Sequence, residues 1–232
     1  ALSANAGTFT LTYTSVNDVP VNTLGTPAAV NEDTANAITG NSIADVDDTS
    51  MTSVAITADR GTFSLAQTTG LTFAAGDGTS DATMTFGGTV ANINLAIATI
   101  TWTSAANDDA DATITVVTTD DDGDSDTDSM TITVNSVNDA PTTTGGAATV
   151  AEDATHTFTT TASDWGYVDV DSGDAMTSVD ITSLPATGTL NYGGSAVEAG
   201  DDIAIGNLGG LTYVPVANAN GAVTFTFKVY DG

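Results

Sequence analysis

The chain has 232 residues, 2 basic and 30 acidic, giving a formal net charge of −28, and no cysteine. Arg60 and Lys228 are the only cations, so no basic stripe exists to displace counterions from phosphates, and an anionic membrane surface repels the chain; nucleic acid is excluded as a partner. With 41% hydrophobic and 14% charged residues the composition is that of a folding chain, and no apolar run approaches the ~20 residues that span a bilayer, so no membrane insertion is expected.

The first element is the alternation Thr8-Phe9-Thr10-Leu11-Thr12-Tyr13, read as a half-buried antiparallel strand with Thr on its wet face. The chain opens at Ala1 in mid-strand with no signal peptide or initiator Met, as a piece of something longer would. Farther on, residues 90–98 space Val90, Ile93, Leu95 and Ile97 for a short helix. Met130-Thr131-Ile132-Thr133-Val134 and Val223-Thr224-Phe225-Thr226-Phe227 are strands of the same alternating kind.

These elements repeat. Val16-Asn17-Asp18-Val19-Pro20 returns as Val137-Asn138-Asp139-Ala140-Pro141, Asn31-Glu32-Asp33 as Ala151-Glu152-Asp153, and Asp45-Val46-Asp47 as Asp169-Val170-Asp171. Met51-Thr52-Ser53-Val54-Ala55-Ile56-Thr57 matches Met176-Thr177-Ser178-Val179-Asp180-Ile181-Thr182 at six of seven positions, and Asp122-Gly123 is paralleled by Asp231-Gly232. The reading is all-β: two tandem β-sandwich domains over 17–137 and 138–232. The second lacks its last strand and is completed by a strand from a neighbouring copy. Residues 1–16 are the matching strand, which completes the sandwich of a preceding copy. Between linker prolines the units measure 121 residues and, with the ends joined, 111, which sum to the full length of 232. Neighbouring copies then join head to tail, either covalently in tandem or as separate subunits that exchange the strand over residues 7–16.

The acids divide into 27 Asp and 3 Glu (Glu32, Glu152 and Glu198). Asp is the short carboxylate of turns and of oxygen cages for hard cations, so the bias points to Ca²⁺ rather than to a halophile surface. Zinc and redox chemistry are disfavoured by one His and no Cys. A parity argument for a seven-strand sandwich brings the loop after the second strand and the loop before the last to the N-terminal end of each domain. Asn17, Asp18, Asp45, Asp47, Asp120 and Asp122 are then ligands at one junction, with Glu152 of a preceding copy. Glu32, Asp109, Asp111, Asn138, Asp139, Asp169, Asp171 and Asp231 are ligands at the other. Without ions these carboxylates repel across a hinge, and calcium stiffens it. Asp124, Asp126 and Asp128 are read as surface residues. Trp165 and Tyr167, in an insertion absent from the first unit, either pack over the domain junction or are exposed to stack on a glycan or protein ligand. No cleft with flanking carboxylates and no hydroxyl beside a base is evident, so the chain is not expected to be an enzyme.

Taken together, Val-Asn-Asp-Ala-Pro (137–141), Glu-Asp, Asp-Val-Asp, Leu-Thr-Tyr-Val-Pro (211–215), Ala-Asn-Ala-Asn-Gly (217–221) and Tyr-Asp-Gly (230–232) resemble the cadherin-like tandem repeats of giant secreted bacterial adhesins and surface proteins. That resemblance implies Greek-key (cadherin/Ig-like) β-sandwiches, Ca²⁺ at the linkers, export to the cell surface and an extender role rather than catalysis. The alternative from another class is a ligand-binding surface module that recognises glycan or protein.

Overall fold

A computed structural model describes residues 7–14 and 16–232. Residues 1–6 and Ser15, part of the strand expected over 1–16, lie outside the described residues. Contacts divide the chain into Ala1–Val137 and Asn138–Gly232.

In the first unit a five-stranded antiparallel sheet runs in the order Ser125–Ile132, Ala112–Thr119, Ser50–Ala58, Thr83–Thr89, Leu71–Ala75. A second sheet holds Asn36–Thr39, Thr99–Thr103 and Thr62–Ser64. Strict alternation is what closes the core: along Ala112–Thr119, Ala112, Ile114, Val116 and Thr118 are buried while the residues between them are not. Ala112, Ile114 and Val116 join Ile56, Phe63, Met84, Phe86, Ile100 and Trp102 in one core, the last six essentially without solvent contact, and the Trp102 indole N–H donates to Arg60 O at 3.1 Å. The expected helix is present as Val90–Ile97, capped by the Thr89 hydroxyl accepting from Asn92 N.

The strand expected over residues 130–134 is broken at Thr133. Ser125–Ile132 ends on the large sheet, and Val134–Asn135 then pairs in parallel with Val30–Asn31. Bonds from Val30 N to Thr133 O (2.9 Å) and from Glu32 N to Asn135 O (3.1 Å) hold this crossing. One segment therefore binds two separate edges of the unit.

The second unit is also a β-sandwich. Its sheets run His156–Thr157, Leu211–Val214, Thr189–Tyr192, Ser195–Ala196 and Asp201–Ala204, Ser178–Ser183, Thr226–Tyr230. Val179, Ile181, Leu190, Leu208 and Leu211 form its core, while Phe158, Phe225 and Phe227 are only partly buried against it. The strand expected over 223–227 lies instead at Thr226–Tyr230. Among the described residues its single neighbour is Ser178–Ser183, so residues 223–225 have no ladder to join there. For the same reason residues 8–13 differ from the half-buried strand expected there. They pair with nothing in the described chain and are exposed throughout.

Candidate metal centre

In each unit the same acidic stop follows the strand that pairs with the Met-Thr-Ser-Val repeat, Ala112–Thr119 in the first and Thr226–Tyr230 in the second. Ser53 pairs with Thr119 and Val54 with Thr118 in the first unit; Ser178 pairs with Tyr230 and Val179 with Val229 in the second. Because Met51–Thr57 and Met176–Thr182 are the matched repeats, Thr119 is equivalent to Tyr230, and Asp120 to Asp231. The sequence pairing of Asp231 with Asp122 is thereby corrected by two residues. It could not resolve this because Gly123 and Gly232 offered a competing alignment.

Around Asp120 and Asp231 the two units build one arrangement. Asn17 Nδ2 donates to Asp120 Oδ2 at 2.9 Å, and Asn138 Nδ2 to Asp231 Oδ2 at 3.1 Å. The next linker amide is held by the second acid of Asp-x-Asp: Asp18 N to Asp47 Oδ2 at 3.0 Å, Asp139 N to Asp171 Oδ2 at 2.6 Å. That acid's own amide bonds the first, Asp47 N to Asp45 Oδ1 (2.8 Å) and Asp171 N to Asp169 Oδ1 (3.0 Å). The Asn-Asp linker and the Asp-x-Asp loop are thus one hydrogen-bonded object in each unit.

In the first unit Asp45, Asp48 and Asp120 bring one carboxylate oxygen each within 4.8 Å of one another. Asp120 is 1% exposed, with Oδ1 accepting the amides of Asp122 (3.0 Å), Gly123 (2.6 Å) and Asp124 (2.8 Å). The Asn17 hydrogen bond and these amides hold its pKa below the ordinary range. Asp48 is pushed the other way, by desolvation and by repulsion from Asp121, Asp45 and Asp120. Asn17 Oδ1 and Asp45 Oδ2 are shut off from solvent and accept no hydrogen bond among the described residues. A group of anionic oxygens with two shielded acceptors suits a hard cation with oxygen ligands, Ca²⁺ above all, and no thiolate or imidazole is present to suit a softer one.

In the second unit Asp174 takes the place of Asp48 on a loop one residue longer. Its pKa is raised by desolvation and by Asp171, Asp169 and Asp231. Asp169 is lowered, first by the hydroxyl of Tyr167, which donates to its Oδ2 at 2.6 Å, and burial raises Tyr167 in turn. Among the described residues only the first unit's three acids converge within 4.8 Å.

Other expected ligands are placed differently. Asp122 is exposed and reaches the site through its amide alone. Asp124 is exposed as expected and also accepts from Asn17 Nδ2 at 3.0 Å. At the other end of the first unit Glu32 is buried, with Oε1 accepting Val137 N at 2.9 Å, and Asp111 Oδ1 accepts Val134 N at 3.0 Å. Asp109 and Glu152 are exposed. Trp165, one of the two aromatics read as either junction packing or an exposed stacking surface, is a core residue at 3% exposure. Its indole N–H donates to Thr159 O at 3.1 Å, and its ring packs on Phe158 and Phe227. Asp48 and Asp174 were missed; their only signal in the sequence was a third acid following each Asp-x-Asp.

No protein-family model matches the chain, and no curated protein matches it in sequence. Among solved structures it is similar to a chimeric titin Z1Z2 carrying a peptide from decorin, at 10% identity over 93% of this chain and 96% of that one, with a TM-score of 0.25. It is also similar to titin domains Z1Z2 in complex with telethonin, at 10% identity over 93% and 95%, with a TM-score of 0.24. Likeness at that level carries no argument about this chain, whose all-β character rests on its own strands.

Proposed function

We propose that the chain is a structural repeat unit of an extracellular, cadherin-like array whose acidic loops take up calcium and stiffen, as in an adhesin stalk or a filament. The observation that carries this reading is the convergence of Asp45, Asp48 and Asp120 within 4.8 Å beside the shielded, unbonded oxygens of Asn17 and Asp45. In the absence of a cation such a group is destabilising, because the carboxylates repel and two acceptors lie out of reach of water. A bound Ca²⁺ reverses both effects, and its binding energy adds to folding stability.

The residues that would hold the ion are Asn17, Asp45, Asp48 and Asp120 in the first unit, and Asn138, Asp169, Asp174 and Asp231 in the second. Asp47 and Asp171 orient the linker toward them. The alternative of a glycan-binding module is weakened because Trp165 lies in the core and the Tyr167 hydroxyl is engaged by Asp169.

Calcium at about 100 times its dissociation constant stabilises by about 2.7 kcal/mol, or roughly 10 °C in Tm for a domain of this size. Calorimetry in metal-stripped buffer with Ca²⁺ added back measures it. Asp120→Asn keeps the acceptor for the three loop amides but removes the charge, so it should abolish most of the Ca²⁺ shift of the first unit's transition, leave that unit's metal-free Tm within a few degrees, and leave the second unit's shift in place. A wild-type Tm indifferent to Ca²⁺ would refute the reading.

A further inference from the structure

In each unit the chain enters the Asp-x-Asp loop along a short strand paired with the residues that follow the linker proline. Val21 pairs with Ala44 and Asn22 with Ile43 in the first unit; Thr142 pairs with Val168 and Thr143 with Tyr167 in the second. Val21 follows Pro20 as Thr142 follows Pro141, so Tyr167 stands where Ile43 stands, two residues before the first acid of the loop. Ile43 is a core residue at 2% exposure. Tyr167 packs only partly against the core of its own unit, and its hydroxyl reaches Asp169, since residues two apart on extended chain lie on the same side.

The consequence appears at single oxygens. In the first unit Asp45 Oδ1 accepts the amides of Asp47 and Asp48 at 2.8 and 2.9 Å, while Oδ2 is shielded from solvent and accepts nothing among the described residues. In the second unit Asp169 Oδ1 likewise accepts the amide of Asp171, at 3.0 Å, but Oδ2 takes the hydroxyl of Tyr167 at 2.6 Å. One oxygen therefore shapes the loop in both units, and the other differs: unbonded beside Ile43, capped beside Tyr167. A cation approaching the capped oxygen meets the positive end of an O–H dipole and must displace or weaken a short hydrogen bond to a carboxylate. The aliphatic Ile43 side chain sets no such obstacle.

We propose that Tyr167 is a positioning residue that tunes the calcium affinity of the second unit: its hydroxyl competes with the cation for Asp169. This rests on the calcium reading and deepens it by naming the residue that makes the two loops unequal. The hydrogen bond stabilises the empty loop by holding Asp169 in place of an ion. Loading the loop with Ca²⁺ gives up some of that stabilisation, so the hydroxyl moves loading of the second unit to higher calcium than its carboxylates alone would require.

The test is titration calorimetry with CaCl₂ on the metal-stripped 232-residue chain, in an Asp120→Asn background that silences the first unit and leaves the second to be read alone. Tyr167→Phe in that background keeps the ring and removes the hydroxyl. It should tighten the dissociation constant for Ca²⁺ by about tenfold. The metal-free Tm of the second unit should fall by a few degrees, and its gain at saturating Ca²⁺ should grow. A lowered Tm with an unchanged dissociation constant means that the hydroxyl serves stability only, and weaker binding means that the phenol oxygen is itself a ligand; either result overturns the proposal. If the unchanged chain binds Ca²⁺ but the Asp120→Asn chain does not, with or without Tyr167→Phe, the proposal fails while the calcium reading of the first unit stands. If the unchanged chain binds no Ca²⁺ either, the calcium reading itself falls and takes the proposal with it.

Discussion

Asp120 and Asp48 lie in one carboxylate group yet titrate in opposite directions. Asp120 is held below the ordinary 3.8, first by Asn17, and Asp169 likewise by Tyr167. An acid depressed in the folded state contributes stability above its unfolded value and loses it as pH falls through the folded one. Asp48 and Asp174 are raised above 3.8, chiefly by desolvation. Their contribution is present below 3.8 and is lost as pH rises through the raised value. Metal-free protein is therefore expected to be most stable in the acidic range between these limits. Calcium should remove only the loss on the high-pH side, since it favours ionised Asp48 and Asp174. The Tm gain from Ca²⁺, followed from about pH 3.5 to about pH 6, should grow with pH; a gain that is flat over that range contradicts the assignment of Asp48 and Asp174.

At the scale of elements, period-2 alternation made the all-β class readable. The repeated Asn-Asp and Asp-x-Asp also marked which loops meet, because strand parity sends alternate loops to the same end. Parity says nothing about which way a carboxylate points. Asp47, expected as a ligand, gives Oδ2 to the linker amide of Asp18, while Asp48 turns toward Asp45 and Asp120. The Asp33 and Asp153 carboxylates, just after the Glu of each repeat, were also illegible. Both residues have positive φ, 57° and 61°, and accept the amides of Asn107 and Asn218 at 3.0 and 2.8 Å, so they brace a loop. Trp165 shows the same limit for apolar residues. A Trp flanked by Asp and Gly reads as a loop aromatic, but the short 3₁₀ turn Ala162–Trp165 swings the ring inward and ends on Gly166 at φ 65°. A Cβ at Gly166 would come within 2.5 Å of Gly145 O. Trp165→Ala is expected to cost about 3 to 5 kcal/mol by leaving a cavity between Phe158 and Phe227. Denaturant unfolding should then show a lower midpoint for the second unit, with the first unit's midpoint unchanged; equal loss in both would argue against a local core role.

For the whole molecule, a net charge of −28 has two physical consequences that experiment can separate. General self-repulsion among acids is relieved by any salt, because raising ionic strength from about 0.01 M to about 0.15 M shortens the Debye length from about 30 Å to about 8 Å. Convergent carboxylates within 4.8 Å lie inside that shorter length, so monovalent salt screens them poorly, and a multivalent ion with oxygen coordination is needed to neutralise them. Metal-free protein should therefore gain stability steeply with NaCl and then level off near 0.15 M. Calcium added at that plateau, at a concentration too low to change ionic strength appreciably, should give a second and saturable gain. Magnesium at the same concentration should give less, since it holds its water shell and demands a near-octahedral set of short bonds that these loops are not built to supply. If NaCl alone brings Tm to the value reached with Ca²⁺, the acids act only through net charge and the clusters at Asp120 and Asp231 are not ion sites.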